Sequence, residues 1–325
     1  PELETLGLLG PNLLNSDLES IIRWNYELDE LGMDTISVAG VLAFAMELNE
    51  KGLWENPLEF GKIDNISEIF EDIAYRRGIG DILADGAKRM SERFGGKEFA
   101  IHAKGMELSA YEPRSAVGQG LGYATSNRGG CHLNAGYLVV LEGLGLNIDP
   151  YTTFGKAAIN IFFQNFMEAI SAAGSCLFTS YTIIPAPVLR NPGSFMAKVV
   201  NIGFVALGPV IGLLNRFPFV ANINVPLILY PYAIKHATGM KMTIGKMMKV
   251  GEYGYNLERY CNIILGQEAG ADILPGRLTD EEQIPGDKKT KVPLDKMLKS
   301  YYRNRGWENG VPKKSKLKKL GIITE

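Results

Sequence analysis

Residues 31–53 read LGMDTISVAGVLAFAMELNEKGL, and the punctuation of this stretch decides the fold class. Gly32 is placed to close a preceding helix, because the left-handed residue after a helix C-terminus costs glycine little. Asp34 stands where a helix N-cap belongs, and a second helix is expected from about Thr35 to Gly52. Upstream, Ser16-Asp17-Leu18-Glu19 has a capping-box pattern, followed by Leu18, Ile21, Ile22, Leu28 and Leu31 at roughly helical spacing. Downstream, Asn65-Ile66-Ser67-Glu68 opens a helix that closes near Gly78, and Asp81 to Phe94 is a fourth, stopped by Gly95-Gly96.

Phe99, Ile101 and Ala103 alternate as a short strand-like piece that leads into a Gly-rich loop, Tyr111 to Gly130, expected to be the domain junction. Helical periodicity returns from Tyr151 to Ala173 and stops at Gly174. Leu294 to Arg305 reads as a short amphipathic helix, with Gly306 to Gly310 as a turn. The expectation is a mainly α protein with two helical domains, residues 1–110 and 111–325, the second carrying an apolar insert near 192–225.

The chain has 325 residues, 46% apolar and 22% charged, enough for two ordinary domains of the soluble globular kind. A formal net charge of −2, without long single-sign blocks apart from Lys313 to Lys319, argues against a nucleic-acid partner. Three widely separated cysteines, Cys131, Cys176 and Cys261, argue against a disulfide framework and for a cytoplasmic location. Pro1-Glu2-Leu3-Glu4-Thr5 lacks the basic and apolar regions of a signal peptide, and the chain reads as truncated rather than secreted. Val199 to Asn215 carries no charge, but it is short for a membrane span and interrupted by Gly203, Gly208, Pro209 and Gly212. A buried or interface helix is expected there instead of a membrane contact.

Candidate chemistry begins with an internal echo. Asp29 to Asp34 and Ser171 to Cys176 both end a helix with glycine, Gly32 and Gly174, and place a functional side chain two residues beyond it. The last carbonyls of a helix lack partners within it, so such an end suits a ligand rich in N–H donors, and a nearby aspartate strengthens the match. The plainer alternative is that Gly32 is only a C-cap and Asp34 only an N-cap. His132 is a lone histidine in the Gly-rich region, and such residues are more often structural than catalytic. Tyr123 to Gly130 (YATSNRGG) is either a polar turn or a stretch whose small residues let backbone approach a flat ligand. A solitary thiol such as Cys176 is usually a buried apolar group, and Cys131 and Cys261 read as packing cysteines.

The stretch at residues 31–53 resembles the DxxGLD-type pterin motif and following helix of the aldehyde:ferredoxin oxidoreductase family. Further blocks similar to that family occur in order: PELETLGLLGPNLL from Pro1 to Leu14, HAKGMELSAYEPRSAVGQGLGYATSNRGGCHLNAG from His102 to Gly136, Glu258 to Leu278, and Tyr301 to Gly310. The resemblance covers the chain nearly end to end and implies the family's C-terminal domains 2 and 3, without its N-terminal pterin-binding domain. It implies oxidation of aldehydes to carboxylates at a tungsten or molybdenum bis-pterin centre, with electrons leaving through a [4Fe-4S] cluster to ferredoxin or another electron-transfer protein. Glu4 and His132 would then move protons, and Glu2 is the lesser candidate for the carboxylate. Asp29, Gly32, Asp34, Asn127, Arg128, Gly174 and Cys176 would touch the cofactors.

Cys176 matches the fourth cluster ligand. Its three partners would lie before Pro1, so the chain alone is expected to hold no cofactor and to be inactive. The metal would be held by pterin dithiolenes, leaving the protein to shape its surroundings. Ser171 and Ser175 replace the aspartate and the leucine of the second pterin motif, weakening it. The alternatives are a benzoyl-CoA-reductase-type catalytic subunit of the same family and a non-catalytic split subunit completed by an N-terminal partner. A homodimer is a further expectation, without assured ligands for a bridging iron.

Overall fold

The computed structural model describes residues 1–324 apart from 145–147, 184–185, 192, 207–210, 214, 216 and 218–227. Helices dominate, and among the described residues the strands form only two short antiparallel hairpins. The chain divides into two compact units, each assembled from separated stretches. Unit 1 comprises Pro1–Glu112, Arg128–Cys131 and Ile273–Glu281; unit 2 comprises Pro113–Asn127, His132–Asp272 and Glu282–Glu325.

Unit 1 is built on α1 (Leu3–Leu9), α2 (Leu18–Glu30), α3 (Thr35–Glu50), α4 (Ile66–Ala74), the single turn α5 (Gly80–Leu83) and α6 (Gly86–Phe94). Helix α3 is apolar almost all round and is buried accordingly, from Val38 through Leu42 and Ala45 to Leu48. Leu42 is 0% exposed, and burying such a side chain stabilises by about 2 kcal/mol. Trp24 of α2 meets Phe70 of α4 edge to face at 5.9 Å, which fixes two amphipathic helices onto this core. The expected capping box at Ser16 is replaced by a simpler cap one residue later. Asp17 Oδ1 accepts from the Glu19 amide at 3.1 Å, so Leu18, not Asp17, begins the helix.

The expected fourth helix, Asp81 to Phe94, is two pieces. Gly86 adopts φ +83° between them, and the freed Ala87 amide donates to the buried Glu107 carboxylate at 2.8 Å. A side chain remote in sequence thus caps α6 and stops its continuation from α5. Glu107 lies on the hairpin of β1 (His102–Ala103) and β2 (Met106–Glu107), where His102 pairs with Glu107 and Ala103 with Met106.

Unit 2 contains α7 (Val117–Thr125), α8 (Lys156–Ala172), α9 (Ala186–Arg190), α10 (Phe195–Ala206), α11 (Tyr230–Thr238), α12 (Ile244–Ile264), α13 (Leu294–Arg305) and α14 (Lys314–Leu320). The expected Gly-rich loop therefore contains a helix, α7, and every residue of α7 is buried. Its glycines answer to packing rather than to loop conformation. A Cβ at Gly118 would lie 2.7 Å from Glu142 Oε1, and one at Gly122 would lie 2.5 Å from the Ala135 carbonyl oxygen. The same logic governs the crossing of α8 and α12, where a Cβ at Gly251 would meet the Asn165 carbonyl oxygen at 1.7 Å. Between α13 and α14, β3 (Trp307–Glu308) and β4 (Val311–Pro312) form a hairpin whose two-residue turn, Asn309-Gly310, has positive φ at both positions.

Where it is described, the apolar segment at 199–215 is buried only in part: Ile211 joins a buried cluster of unit 2 with Val200 packed against it, whereas Ile202 of α10 is 69% exposed. Much of the expected insert at 192–225 lies outside the described residues. No single helix among the described residues is long and apolar enough to cross a membrane.

Candidate functional site

In unit 1 the α2 terminus forms a Schellman motif. The Met33 amide donates to the Leu28 carbonyl at 2.9 Å and the Gly32 amide to the Asp29 carbonyl at 3.1 Å, with Gly32 at φ +70°. Asp34 Oδ2 then accepts from the Ser37 amide at 2.7 Å and launches α3. Both plain roles, C-cap and N-cap, are thus realised. They leave space as well: nothing lies within 4 Å of a Cβ built on Gly32, and Asp29 and Asp34 are both exposed. Asp29 Oδ2 accepts from Asn25 Nδ2 at 3.2 Å. A carboxylate has more acceptor sites than these single bonds occupy, so a donor-rich ring edge fits beside the helix end.

Four carboxylates gather around the start of α3. Glu4 is 2% exposed on α1, beside the buried Thr5 hydroxyl that bonds to Thr35 Oγ1 at 2.8 Å. Glu2 has its pKa raised by burial first, then by the charges of Glu4 and Asp34. Glu107 is raised mainly by burial, against hydrogen bonds from the Ala87 amide and Ser37, with Asp34 again adding repulsion. Sequence reasoning missed Glu107. Its one signal was a carboxylate at an inward position of a short strand, facing a close glycine: a Cβ at Gly40 would sit 3.0 Å from its Cβ.

Arg128, Gly129 and Gly130 also belong to unit 1. Arg128 is exposed. The two glycines pack against the β1–β2 hairpin, where a Cβ at Gly130 would lie 2.5 Å from the Glu107 and Met106 carbonyl oxygens. Close approach to the hairpin backbone leaves no room for a side chain at either position.

In unit 2, Asn127 is spent on structure. Its Nδ2 donates to the Tyr255 carbonyl at 2.8 Å and to Glu258 Oε2 at 3.0 Å, and its Oδ1 accepts from Arg259 Nε at 2.8 Å. Both N–H donors of the amide are engaged within the protein. Arg259, fully buried, reaches on to Asp272 Oδ1 at 3.0 Å and the Thr125 carbonyl at 2.7 Å. His132 is 7% exposed with its ring 5.2 Å from that of Tyr137. Glu4 and His132 thus belong to different units.

The α8 terminus repeats the α2 geometry. The Ser175 amide donates to the Ile170 carbonyl at 3.2 Å and the Gly174 amide to the Ser171 carbonyl at 2.9 Å, with Gly174 at φ +70° and open space beside it. The same closure recurs at Gly52 after α3 and at Gly266 after α12. The residues after the glycine distinguish the pair. Cys176 is exposed, not a buried thiol, and its carbonyl accepts from the Thr179 amide at 3.1 Å as the chain enters the 3-10 turns Leu177–Ile183. An accessible thiol at a fixed turn suits a cluster ligand. Cys261 is likewise exposed on α12, so it is not a packing cysteine; Cys131 is half-buried. Among the described residues no three His, Cys, Asp or Glu side chains gather as metal ligands.

The family described as aldehyde ferredoxin oxidoreductase, domains 2 and 3, matches residues 1–322. The tungsten-containing aldehyde ferredoxin oxidoreductase of Pyrococcus abyssi is 38% identical over 337 residues, covering 99% of this chain and 48% of that protein. Its namesake from Pyrococcus furiosus is 38% identical over 335 residues, with the same coverage of 99% and 48%. The active-site complex BamBC of benzoyl coenzyme A reductase superposes with a TM-score of 0.63 at 19% identity, over 98% of this chain and 48% of that one. This last likeness concerns the fold. The chain spans about half the length of the curated relatives it matches, 48% in both cases.

Proposed function

Because the chain belongs to the aldehyde ferredoxin oxidoreductase family and matches its domains 2 and 3, we propose that the intact protein oxidises aldehydes to carboxylates at a tungsten or molybdenum bis-pterin centre. The observation that carries this reading is the 38% identity extending over 99% of the chain. When bound, the pterin–metal group supplies two-electron chemistry and a [4Fe-4S] cluster the one-electron exit to ferredoxin. Asp29, Gly32 and Asp34 hold a donor-rich pterin edge at the α2 terminus, where the exposed carboxylates and the open space beside Gly32 suit it. Gly174 gives the α8 terminus the same shape, and Cys176 offers its thiolate to the cluster. Arg128 contributes an exposed cation toward cofactor phosphate. Glu4 of unit 1 and His132 of unit 2 are the proton-handling side chains.

With three cysteines the chain cannot furnish four thiolates, so we assign the remaining ligands to a further domain or partner. The test is made on the whole protein, purified without oxygen. Tungsten or molybdenum, iron and pterin near stoichiometric amounts, with ferredoxin- or viologen-linked oxidation of an aldehyde, are expected. Cys176→Ser should lower iron content, and Glu4→Gln and His132→Gln should each lower kcat by about a hundredfold. A preparation that reduces aryl-CoA esters and oxidises no aldehyde would replace this reading with the benzoyl-CoA-reductase type.

A further inference from the structure

In unit 2, α12, the end of α13 and α14 enclose a cleft of about 910 Å³, a size that suits a small ligand. Its wall carries Lys249, Arg303, Arg305, Lys316 and Lys319, against the single carboxylate Glu252 among its described lining residues. Lys316 is paired with Glu252, which leaves four cations. Lys249, Arg303 and Lys319 make no ion pair among the described residues. Arg305 is buried, held by Asn165 Oδ1 at 2.6 Å and by the Tyr255 ring face at 4.1 Å, and its Nε and Nη2 have no acceptor.

This concentration of charge exceeds what the helices themselves call for. The C-terminal dipoles of α13 and α14 favour cations in their last turns, but Lys249 stands within the first half of α12 and lines the same space. The like charges sense one another: burial is the main cause lowering the Lys316 pKa, Glu252 opposes it, and Arg305 and Lys319 lower it further.

The rest of the lining is not ionic. Tyr253 and Val250 expose an aromatic ring and an aliphatic group at the cleft, and Asn215 also lines it, its Nδ2 holding the Ala158 carbonyl at 2.9 Å. A complementary ligand has a compact multiple anion and a flat ring for Tyr253.

We propose that this cleft binds a small phosphorylated molecule with a ring, of the nucleoside monophosphate class. Lys249, Arg303 and Lys319 take the phosphate and Tyr253 the ring. The site is independent of the redox reading above, and its test needs no bound metal. Calorimetric titration of the protein with AMP, inorganic pyrophosphate and neutral adenosine, at fixed ionic strength, should show saturable binding of the first two. Adenosine should bind at least about tenfold more weakly than AMP. Lys249→Gln and Arg303→Gln should each weaken AMP by about tenfold with unchanged circular dichroism. Tyr253→Ala should weaken AMP and leave pyrophosphate unaffected. Pyrophosphate binding with no AMP binding would overturn the ringed ligand, and the absence of saturable binding by either at about 10 mM would overturn the site. Parent-like AMP affinity in the Lys249→Gln/Arg303→Gln double variant would overturn it equally.

Discussion

The two units solve the problem of a helical core in opposite ways. Unit 1 centres on α3, whose buried side chains Val38, Leu42, Phe44, Ala45 and Leu48 offer nothing but apolar surface. Unit 2 centres on a web in which Asn127, Arg259, Asp272, Gln164, Tyr301, Asn165 and Arg305 are all buried and bonded to one another or to backbone. Arg259 and Arg305 also lie against the Trp307 ring, 4.7 and 5.6 Å from its centroid. An apolar core tolerates loss of any one contact in proportion to the volume removed, whereas removing one member of a buried polar web strands the polar groups it had satisfied.

The sharpest way to break this comparison is Arg259→Ala. It removes the guanidinium from Asp272 Oδ1, Asn127 Oδ1 and the Thr125 carbonyl together, and should cost about 3–5 kcal/mol in urea unfolding. Replacing both partners, as Arg259→Met with Asp272→Leu, should cost less than Arg259→Ala, because no buried charge is then stranded. In unit 1, Leu42→Ala should cost about 3 kcal/mol by the same measurement, scaling with the cavity left. If Leu42→Ala proved costlier than Arg259→Ala, the contrast between the two cores would fall.

A smaller effect is expected at the junction of α2 and α3. Asp34→Ala removes the bond from the Ser37 amide and should cost about 1 kcal/mol, seen as a lowered denaturant midpoint with an unchanged slope. The finest test is one of pH. Burial raises the Glu107 pKa above its ordinary 4.5, so the folded state holds that proton more tightly than the unfolded chain. Its contribution is fully present below the unfolded value and is lost as pH rises through the folded one. Glu107→Gln should therefore gain stability relative to the parent as pH rises from 4.5 upward. Parallel urea profiles for the two proteins across that window would show that Glu107 is not held protonated.

Legibility did not follow the division into units. Helices α2, α3 and α13 could be read because their apolar periodicity and their capping residues agree, and α13 has the expected limits, Leu294 and Arg305. Helix α7 could not, since Gly118, Gly120 and Gly122 signal a loop in one dimension and a close crossing in three. The Asp81 to Phe94 helix misled for a related reason: the group that breaks it, Glu107, lies far along the chain. Among site residues, the Gly32 and Gly174 helix ends were visible as patterns. The commitment of Asn127 to Tyr255, Glu258 and Arg259 was not, because it joins positions more than a hundred residues apart.

By itself the sequence determined the family, the mainly α character and the caps around residues 31–53, because these depend on local spacing and on identity along the chain. Only the tertiary structure decided which glycines are conformational and which are spaces for a neighbour, which polar side chains are spent on the core, and where cations accumulate without partners. Those outcomes depend on distance between residues remote in sequence, and burial sets their energies by removing the water that would otherwise satisfy each group.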